Sequence, residues 1–166
     1  MASSSNSRVK YSYDIFLSFR GLDTRKKFTD HLYEALKREG FQTFRDDDEI
    51  KKGENIKSEL QKAIWNSRMS IIVFSENYAE STSCLFEIHT IIELHKRKAD
   101  HHILPVFYEV DPRYIKDQAK KLDKMTGEEV DLGGKKVTCE EVKGWSAALK
   151  EVASMAGMVS GSQANG

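Results

Sequence analysis

Arg20, Gly21 and Asp23 stand directly after a short apolar segment and are the first candidates for chemistry in this sequence. The preceding residues 14–19, Asp-Ile-Phe-Leu-Ser-Phe, are typical of a strand buried on both faces of a parallel sheet. The first strand of such a sheet usually lies centrally, and ligands bind outside the carboxyl ends of the strands. We therefore expect a functional site at this edge of the sheet.

The motifs of several known ligand sites are absent from the sequence. After the first strand there is neither the G-x-G-x-x-G of dinucleotide-binding folds nor the G-x-x-x-x-G-K-[ST] of phosphate loops. A phosphoryl-receiving domain would have acidic residues here and an aspartate closing the third strand, but residues 18–20 read Ser-Phe-Arg and Ser75 is followed by Glu76. The acidic run 46–49 does not fit a calcium loop, because Ile50 occupies the third ligand position. We expect a solvated turn at this run and no metal site.

The elements that must position these residues alternate between strands and helices. Helical spacing follows Asp23 and ends at Gly40, and further helices are predicted from about 56 to 64, from 81 to 98, and after Thr138. This alternation predicts an α/β fold of three layers, flavodoxin-like, with a five-stranded parallel sheet in the order 2-1-3-4-5. The predicted strands are residues 14–19, 41–45, 69–74, 103–108 and 158–159.

Two segments fit this pattern less well. Pro105 cannot donate a backbone hydrogen bond, which favours a position near the edge of the sheet for its strand. Asp111 and Pro112 form a helix start, but residues 116–137 are very polar and interrupted by glycines. We therefore predict a loop with a short helix for residues 116–137.

Length and composition indicate one globular domain. The chain has 166 residues, with 26 basic and 26 acidic side chains, so its net charge is zero and does not favour nucleic acid as a partner. We expect the domain at about residues 11–160, with a flexible arm at 1–10 and a flexible tail at 161–166. No apolar run reaches membrane-spanning length, and the two cysteines are best interpreted as reduced thiols in a cytoplasmic protein, with the nucleus as an alternative compartment.

Four ordered segments resemble the plant-type Toll/interleukin receptor (TIR) domain, as found in immune receptors and in proteins made of this domain alone. Residues 13–25 read YDIFLSFRGLDTR and residues 44–56 read FRDDDEIKKGENI. Residues 75–87 read SENYAESTSCLFE and residues 104–112 read LPVFYEVDP. Four such segments in order and at suitable spacing are far more specific than a single motif. The resemblance confirms the expected fold class and implies a role in plant innate immunity.

The resemblance implies an activity as well: many plant members cleave the nicotinamide–ribose bond of NAD or NADP, and the catalytic glutamate of the family falls on Glu87. This assignment is chemically reasonable, because breaking the bond develops positive charge on the ribose, which a fixed carboxylate stabilises. Cationic nicotinamide is a good leaving group, so a second carboxylic acid is unnecessary. We expect Glu87 at the edge of a cleft, NAD or NADP as substrate, and no permanently bound cofactor.

The resemblance also implies the residues that bind the substrate. Arg20 and Arg45 follow neighbouring strands and are expected to hold the diphosphate, helped by the helix N-terminus after Asp23. Cys84 is expected to be a buried small side chain rather than a nucleophile. The full predicted substrate-binding set is Phe19, Arg20, Gly21, Arg45, Ser75, Ser83 and Cys84.

Ser83 departs from the family pattern, which usually has Trp at this position, one helical turn before the glutamate. A serine cannot stack on a nicotinamide or adenine ring, and such stacking contributes roughly 1–3 kcal/mol. The substitution predicts substrate affinity or rate lower by about one to two powers of ten. It keeps open an alternative function, a weak or inactive adaptor that acts by binding other TIR domains. Cleavage of nucleic acid is a third and less favoured interpretation.

Partners are implied by the resemblance alone. The family associates through its first helix, and Asp30 and His31 match its contact pair, so we expect these two residues at an interface with other TIR domains. Nucleotide-binding leucine-rich-repeat immune receptors are further expected partners, and membranes are not. Because we find no helix after residue 159 to complete the family contact, we expect weak association in dilute solution.

Overall fold

The computed structural model describes residues 11–24, 28–45, 56–125, 128–132 and 135–160. A parallel five-stranded sheet has the order β2-β1-β3-β4-β7, so β3 lies at its centre, β1 lies beside it, and β2 and β7 are at the edges. This is the predicted order 2-1-3-4-5, with β7 as the fifth strand. The strands are β1 (Tyr13–Phe19), β2 (Thr43–Arg45), β3 (Ser67–Phe74), β4 (His102–Tyr108), β5 (Glu129–Leu132), β6 (Lys135–Thr138) and β7 (Met158–Ser160).

Six helices and a 3₁₀ turn at Tyr78–Glu80 are described along the same parts of the chain. The side chains of Ser81, Asp111 and Thr138 cap three of the helices by accepting hydrogen bonds from backbone N–H groups. The caps at Asp111 and Thr138 were predicted. The helices are α1 (Gly21–Thr24), α2 (Asp30–Arg38), α3 (Ile56–Trp65), α4 (Thr82–Arg97), α5 (Pro112–Asp123) and α6 (Cys139–Ala153).

The sheet carries a hydrophobic cluster on each face, because alternate side chains of a strand point to opposite sides. Phe16 and Ile72 belong to the larger cluster, which includes residues of α3, α4, α5 and α6. Leu17 and Ile71 belong to the smaller cluster, against which Leu32 and other residues of the α2 region pack. The apolar β1 sequence is thus explained by burial on both faces, as predicted.

The structure corrects the prediction for residues 116–137. Helix α5 continues to Asp123, since Ile115, Ala119 and Leu122 form a buried stripe at helical spacing on an otherwise charged helix. Strands β5 and β6 then form an antiparallel hairpin in which Val130 pairs with Val137. A single apolar stripe is enough to form this helix, and one cross-strand apolar pair is enough to form the hairpin. The sequence pattern did not indicate either element, because charged residues dominate the segment.

Pro105 lies in β4, the second strand from the edge, in agreement with its predicted position near the edge. Strand β7 pairs with residues 106–108 of β4 and so leaves Pro105 outside its register. Gly157 approaches Pro105 so closely that a Cβ added to Gly157 would lie 2.3 Å from the Pro105 carbonyl oxygen. The proline is therefore accommodated where the edge strand begins.

The chain turns differently from the prediction after β1. The expected helix cap at Asp23 is wrong, because α1 already begins at Gly21 and Asp23 lies within its single turn. Gly40 follows the end of α2 with φ of 91°, so the predicted helix end at this glycine is confirmed.

Some predicted segments lie outside the described residues. These are the acidic run 46–49, its neighbour Ile50, and the predicted arms 1–10 and 161–166. Among the helices that are described, none has the length and hydropathy to cross a membrane.

Candidate functional site

Asp23 joins the carboxyl ends of the two central strands. Its Oδ2 accepts hydrogen bonds from Ser75 Oγ at 2.6 Å and from the backbone N–H of Asn77 at 3.0 Å. Its Oδ1 accepts from Asn77 Nδ2 at 3.3 Å and from an Arg20 guanidinium nitrogen at 3.0 Å. Since Arg20 follows β1 and Ser75 follows β3, this carboxylate fixes the edge at which a ligand was expected.

The contacts of Asp23 also set its charge state. Burial raises the pKa of Asp23, but the hydrogen bonds from Ser75 and Asn77 and the positive charge of Arg20 outweigh it, so this pKa lies below its usual value. The carboxylate is therefore ionised at neutral pH. It holds Arg20 in place and keeps the loop after β3 against α1.

A second layer of contacts attaches α4 to β1. The fully buried Tyr78 shares a 2.7 Å hydrogen bond with Ser18 Oγ and donates one of 3.3 Å to the carbonyl oxygen of Cys84. Cys84 Sγ donates in turn to the Phe19 carbonyl oxygen at 3.4 Å. Cys84 is buried, as predicted, and this thiol serves as a packing group. The first turn of α4 is thereby placed at the end of β1.

Glu87 follows Cys84 by one helical turn and is 2% exposed. Burial raises the pKa of Tyr78 well above its usual value, and electrostatic interactions with the nearby Cys84 and Glu87 raise it further. The carboxylate of Glu87 is therefore close to the Tyr78 ring. The expected position at the edge of a cleft is wrong, because α4 packs against the sheet, α3 and α6 and so buries more than one of its faces.

Arg45 lies beside the carboxyl end of β1, as predicted, since it pairs in register with Leu17. In this structure its guanidinium group already contacts other side chains. It donates a 2.7 Å hydrogen bond to Asp30 Oδ1 and lies 4.2 Å from the centre of the Tyr33 ring. Both predicted diphosphate ligands, Arg45 and Arg20, are thus held by carboxylates of the domain itself.

Ser83 lines a different feature, a cleft of about 940 Å³ between α3, α4, the hairpin β5–β6 and α6. Phe86 and Trp145 line the same cleft. Among its described lining residues, Ser83 is the one that belongs to the predicted substrate-binding set. Within the predicted set, Arg20 and Ser75 contact Asp23, and Cys84 contacts the Phe19 carbonyl oxygen. Arg45 contacts Asp30 instead, and Ser83 lines the cleft.

The family model of the TIR domain matches residues 12–166 of the chain. The chain belongs to the TIR domain family. Solved TIR domains of the activated Roq1 resistosome, which recognises the pathogen effector XopQ, superimpose on it with a TM-score of 0.76 and 41% identity, covering 93% of this chain and 92% of the solved one. The resemblance inferred from the four segments is thereby confirmed, as is the fold.

Plant resistance proteins are similar to this TIR domain in sequence. Disease resistance protein RUN1 of Vitis rotundifolia is 49% identical over 148 residues, which cover 88% of this chain and 11% of RUN1. TMV resistance protein N of Nicotiana glutinosa is 45% identical over 157 residues, 95% of this chain and 13% of that protein. The chain thus spans about an eighth of the length of these relatives. It is a plant-type TIR domain.

The two residues predicted at a TIR–TIR interface differ in their surroundings. His31 is exposed at the start of α2. The neighbouring Asp30 is occupied by its hydrogen bond to Arg45, with 47% of its side chain exposed. His31 is therefore accessible on the surface, whereas Asp30 links α2 to the end of β2.

Sequence reasoning missed the roles of Asn77, Tyr78 and Tyr114. Asn77 and Tyr78 were noted as part of a family segment, but no contact was assigned to them. Tyr114 Oη and Gln118 Nε2 on α5 donate to the Glu76 carbonyl oxygen at 2.9 and 3.1 Å. These bonds attach the loop after β3 to α5. The spacing of Tyr114 and Gln118, one helical turn apart, was the available signal.

Proposed function

We propose that this TIR domain cleaves the nicotinamide–ribose bond of NAD or NADP when it associates with other TIR domains. The observation that carries the proposal is the position of Glu87, which is buried one helical turn after the Cys84 that contacts the end of β1 and which interacts electrostatically with Tyr78. A carboxylate in such a place interacts strongly with developing positive charge, because little water screens it.

The reaction follows from that position. The bond between ribose C1′ and the nicotinamide nitrogen breaks, and its electron pair goes to the ring, so that neutral nicotinamide leaves. Glu87 stabilises the oxocarbenium-like ribose that remains. A water molecule adds to C1′ and gives its proton to the carboxylate or to solvent. The products are nicotinamide and ADP-ribose, or its 2′-phosphate when the substrate is NADP.

Association enters the proposal because the described conformation covers Glu87. The residue is 2% exposed, and Arg20 and Arg45 are held by Asp23 and Asp30. A substrate diphosphate has to replace these carboxylates at the two guanidinium groups, and the contacts over Glu87 have to open. Binding of a second TIR domain at α2, where Asp30 lies, is proposed to supply the free energy for this change.

Glu87→Gln tests the proposal, since the amide keeps the shape of the buried side chain and removes its charge. We expect wild type at high protein concentration to release nicotinamide from NAD, and the variant to release at least about a hundredfold less. Nicotinamide is measured by chromatography, and folding by circular dichroism. Glu93→Gln, at an exposed position of the same helix, is the matched control and retains activity.

Nicotinamide release by wild type and by Glu87→Gln distinguishes the cleavage of NAD from the function of an adaptor. A folded Glu87→Gln protein with full activity refutes the assignment of the catalytic residue. Wild type that associates but releases no nicotinamide favours the adaptor, which acts only by TIR–TIR binding. Ser83 in place of the usual tryptophan is the observation that favours this second candidate.

A further inference from the structure

Basic and aromatic side chains meet at the amino edge of the sheet, where the parallel strands begin. Tyr11 precedes β1, Trp65 ends α3, and Arg68 is the second residue of β3. Arg97 is the last residue of α4, and Lys98 follows it as the C-cap. We propose that these five residues, the amino-edge cluster, bind a compact soluble polyphosphate such as an inositol phosphate. The inference concerns a separate site and goes beyond the proposed cleavage of NAD.

Two aromatic rings bring the three cations of the cluster together. The Lys98 ammonium group lies 5.8 Å from the centre of the Tyr11 ring and 5.9 Å from that of the Trp65 ring. The Arg68 guanidinium group lies 6.0 Å from the Tyr11 ring, and the Arg97 guanidinium group lies 5.9 Å from the Trp65 ring. Both rings are half-buried. Contacts of this kind attract cations to the ring faces and so restrict side chains that would otherwise spread into solvent.

The positive charge of the cluster is not neutralised by carboxylates of the domain. The salt bridges found among the described residues include none of Arg68, Arg97 and Lys98. Asp100 follows Lys98 by two residues, and it too is absent from those ion pairs of the described chain. An anionic ligand can therefore contact these cations without displacing a partner carboxylate. Its hydrogen bonds to them are charge-assisted, which makes them stronger than neutral ones.

The three cations come from two elements of the fold. Arg97 and Lys98 lie at the carboxyl end of α4, where the helix dipole favours positive side chains. The backbone N–H of Lys98 donates to the Leu94 carbonyl oxygen at 2.8 Å, which fixes this end of the helix. Arg68 belongs to β3, so no helix dipole accounts for its position. A ligand at the cluster thus contacts a strand and a helix end together.

The size of the cluster narrows the class of ligand. Lys98 lies within 6 Å of both rings, so the three cations converge on one small area instead of following a groove. A net charge of zero for the whole chain disfavours a long polyanion such as nucleic acid. Membrane recognition by basic surfaces typically uses about 4–8 lysines and arginines, more than this cluster has. A small ring that carries several phosphates can contact all three cations at once.

The amino-edge cluster lies at the opposite end of the sheet from the residues around Asp23. Arg68 is near the start of β3, and Ser75 follows the end of the same strand. An extended strand of this length separates the two residues by roughly 20 Å. Glu87→Gln is therefore expected to leave binding at the cluster unchanged. Nicotinamide release tests the proposed cleavage independently, so failure of either proposal is recognised without the other.

Isothermal titration calorimetry with inositol hexakisphosphate as the probe tests the inference at physiological ionic strength. We expect one binding site per domain, and at least about tenfold weaker binding of inorganic phosphate, which cannot contact all three cations at once. Arg68→Gln with Arg97→Gln should raise the Kd for inositol hexakisphosphate at least about tenfold. The matched control is Lys120→Gln with Lys121→Gln, which removes the same charge from an exposed part of α5 and leaves the Kd unchanged.

Tyr11→Leu separates a built site from general attraction to a basic surface. The variant keeps every charge but removes the ring that Arg68 and Lys98 share. The Kd for inositol hexakisphosphate should rise about two- to fivefold, because the cations are no longer held together. Circular dichroism confirms that each variant is folded.

Several results overturn the inference. One is the lack of binding of inositol hexakisphosphate to wild type. Another is an equal loss of affinity in the cluster variant and the α5 control, or an unchanged Kd in Tyr11→Leu, since either shows that net charge alone is sensed. Binding to vesicles of phosphatidylcholine with phosphatidylinositol bisphosphate, without binding of the free phosphate, assigns the cluster to a membrane surface instead. Loss of binding in a folded Glu87→Gln protein places the ligand at the other edge of the sheet.

Discussion

Ser70 Oγ and His101 Nε2 lie 3.0 Å apart in the interior of the domain, one on β3 and the other directly before β4. Ser70 is fully buried and His101 is 3% exposed. The backbone carbonyl oxygen of His101 also contacts His95 Nδ1 at 2.7 Å, at the end of α4. A histidine thus joins two central strands and a helix, and it does so in its neutral form.

Acid is expected to destabilise the domain through this histidine. Burial lowers the pKa of His101 to about 4 from its ordinary 6.5, so the unfolded chain binds a proton at pH values at which the folded one does not. Stability from this group is complete above pH 6.5, is lost as pH falls towards 4, and amounts to about 3 kcal/mol in total. Urea unfolding across this range measures it.

The matched variants for this prediction are His101→Asn and His102→Asn. The first removes the buried group, so the variant is less stable at pH 7 and loses less stability between pH 6.5 and 4 than wild type does. The second changes an exposed neighbour whose charge is the smallest of the influences on the pKa of His101, so it should alter the pH dependence only slightly. An unaltered pH dependence in His101→Asn would show that other groups govern acid unfolding.

Asp23→Asn is expected to lower the free energy of unfolding by about 1–2 kcal/mol, since the carboxylate accepts several hydrogen bonds, one of them from Arg20. Urea unfolding at pH 7 measures the stability. Asp100→Asn, at an exposed position, is the control and should change stability by less than about 0.5 kcal/mol. Equal stability of the two variants would contradict a structural role for Asp23.

Ser83→Trp is expected to raise nicotinamide release about tenfold or more, because the ring restores a surface on which a base or nicotinamide stacks. Ser83→Ala is the control, since it removes the hydroxyl without adding a ring. Release that is equal in both variants would show that stacking at this position does not limit the reaction.

His31→Ala is expected to weaken association of the domain at high concentration, because His31 is the exposed member of the predicted interface pair. Wild type should be monomeric or weakly associated in dilute solution, as light scattering over a range of concentrations can show. Lys37→Ala, exposed on another side of α2, is the control. A tight dimer at micromolar concentration, or unchanged association of His31→Ala, would refute this account of the interface.

Much of the fold could be predicted from the sequence, because the signals are local. The apolar residues 14–19 and the alternation of strands and helices are enough to place β1 in the interior of the sheet, since parallel connections permit few topologies. The cap at Thr138 and the helix end at Gly40 depend on neighbouring residues only. The register that brings Arg45 beside Leu17 follows from the same order of strands.

Only the tertiary structure decided the state of the site residues. Asp23 reads as a helix cap in the sequence, yet its partners Ser75 and Asn77 are 52 and 54 residues away. Glu87 was expected at the edge of a cleft, yet the sheet, α3 and α6 pack against α4 and leave the side chain buried. Burial and hydrogen bonding depend on which residues are close in space. The local sequence pattern does not show which distant elements pack together after folding.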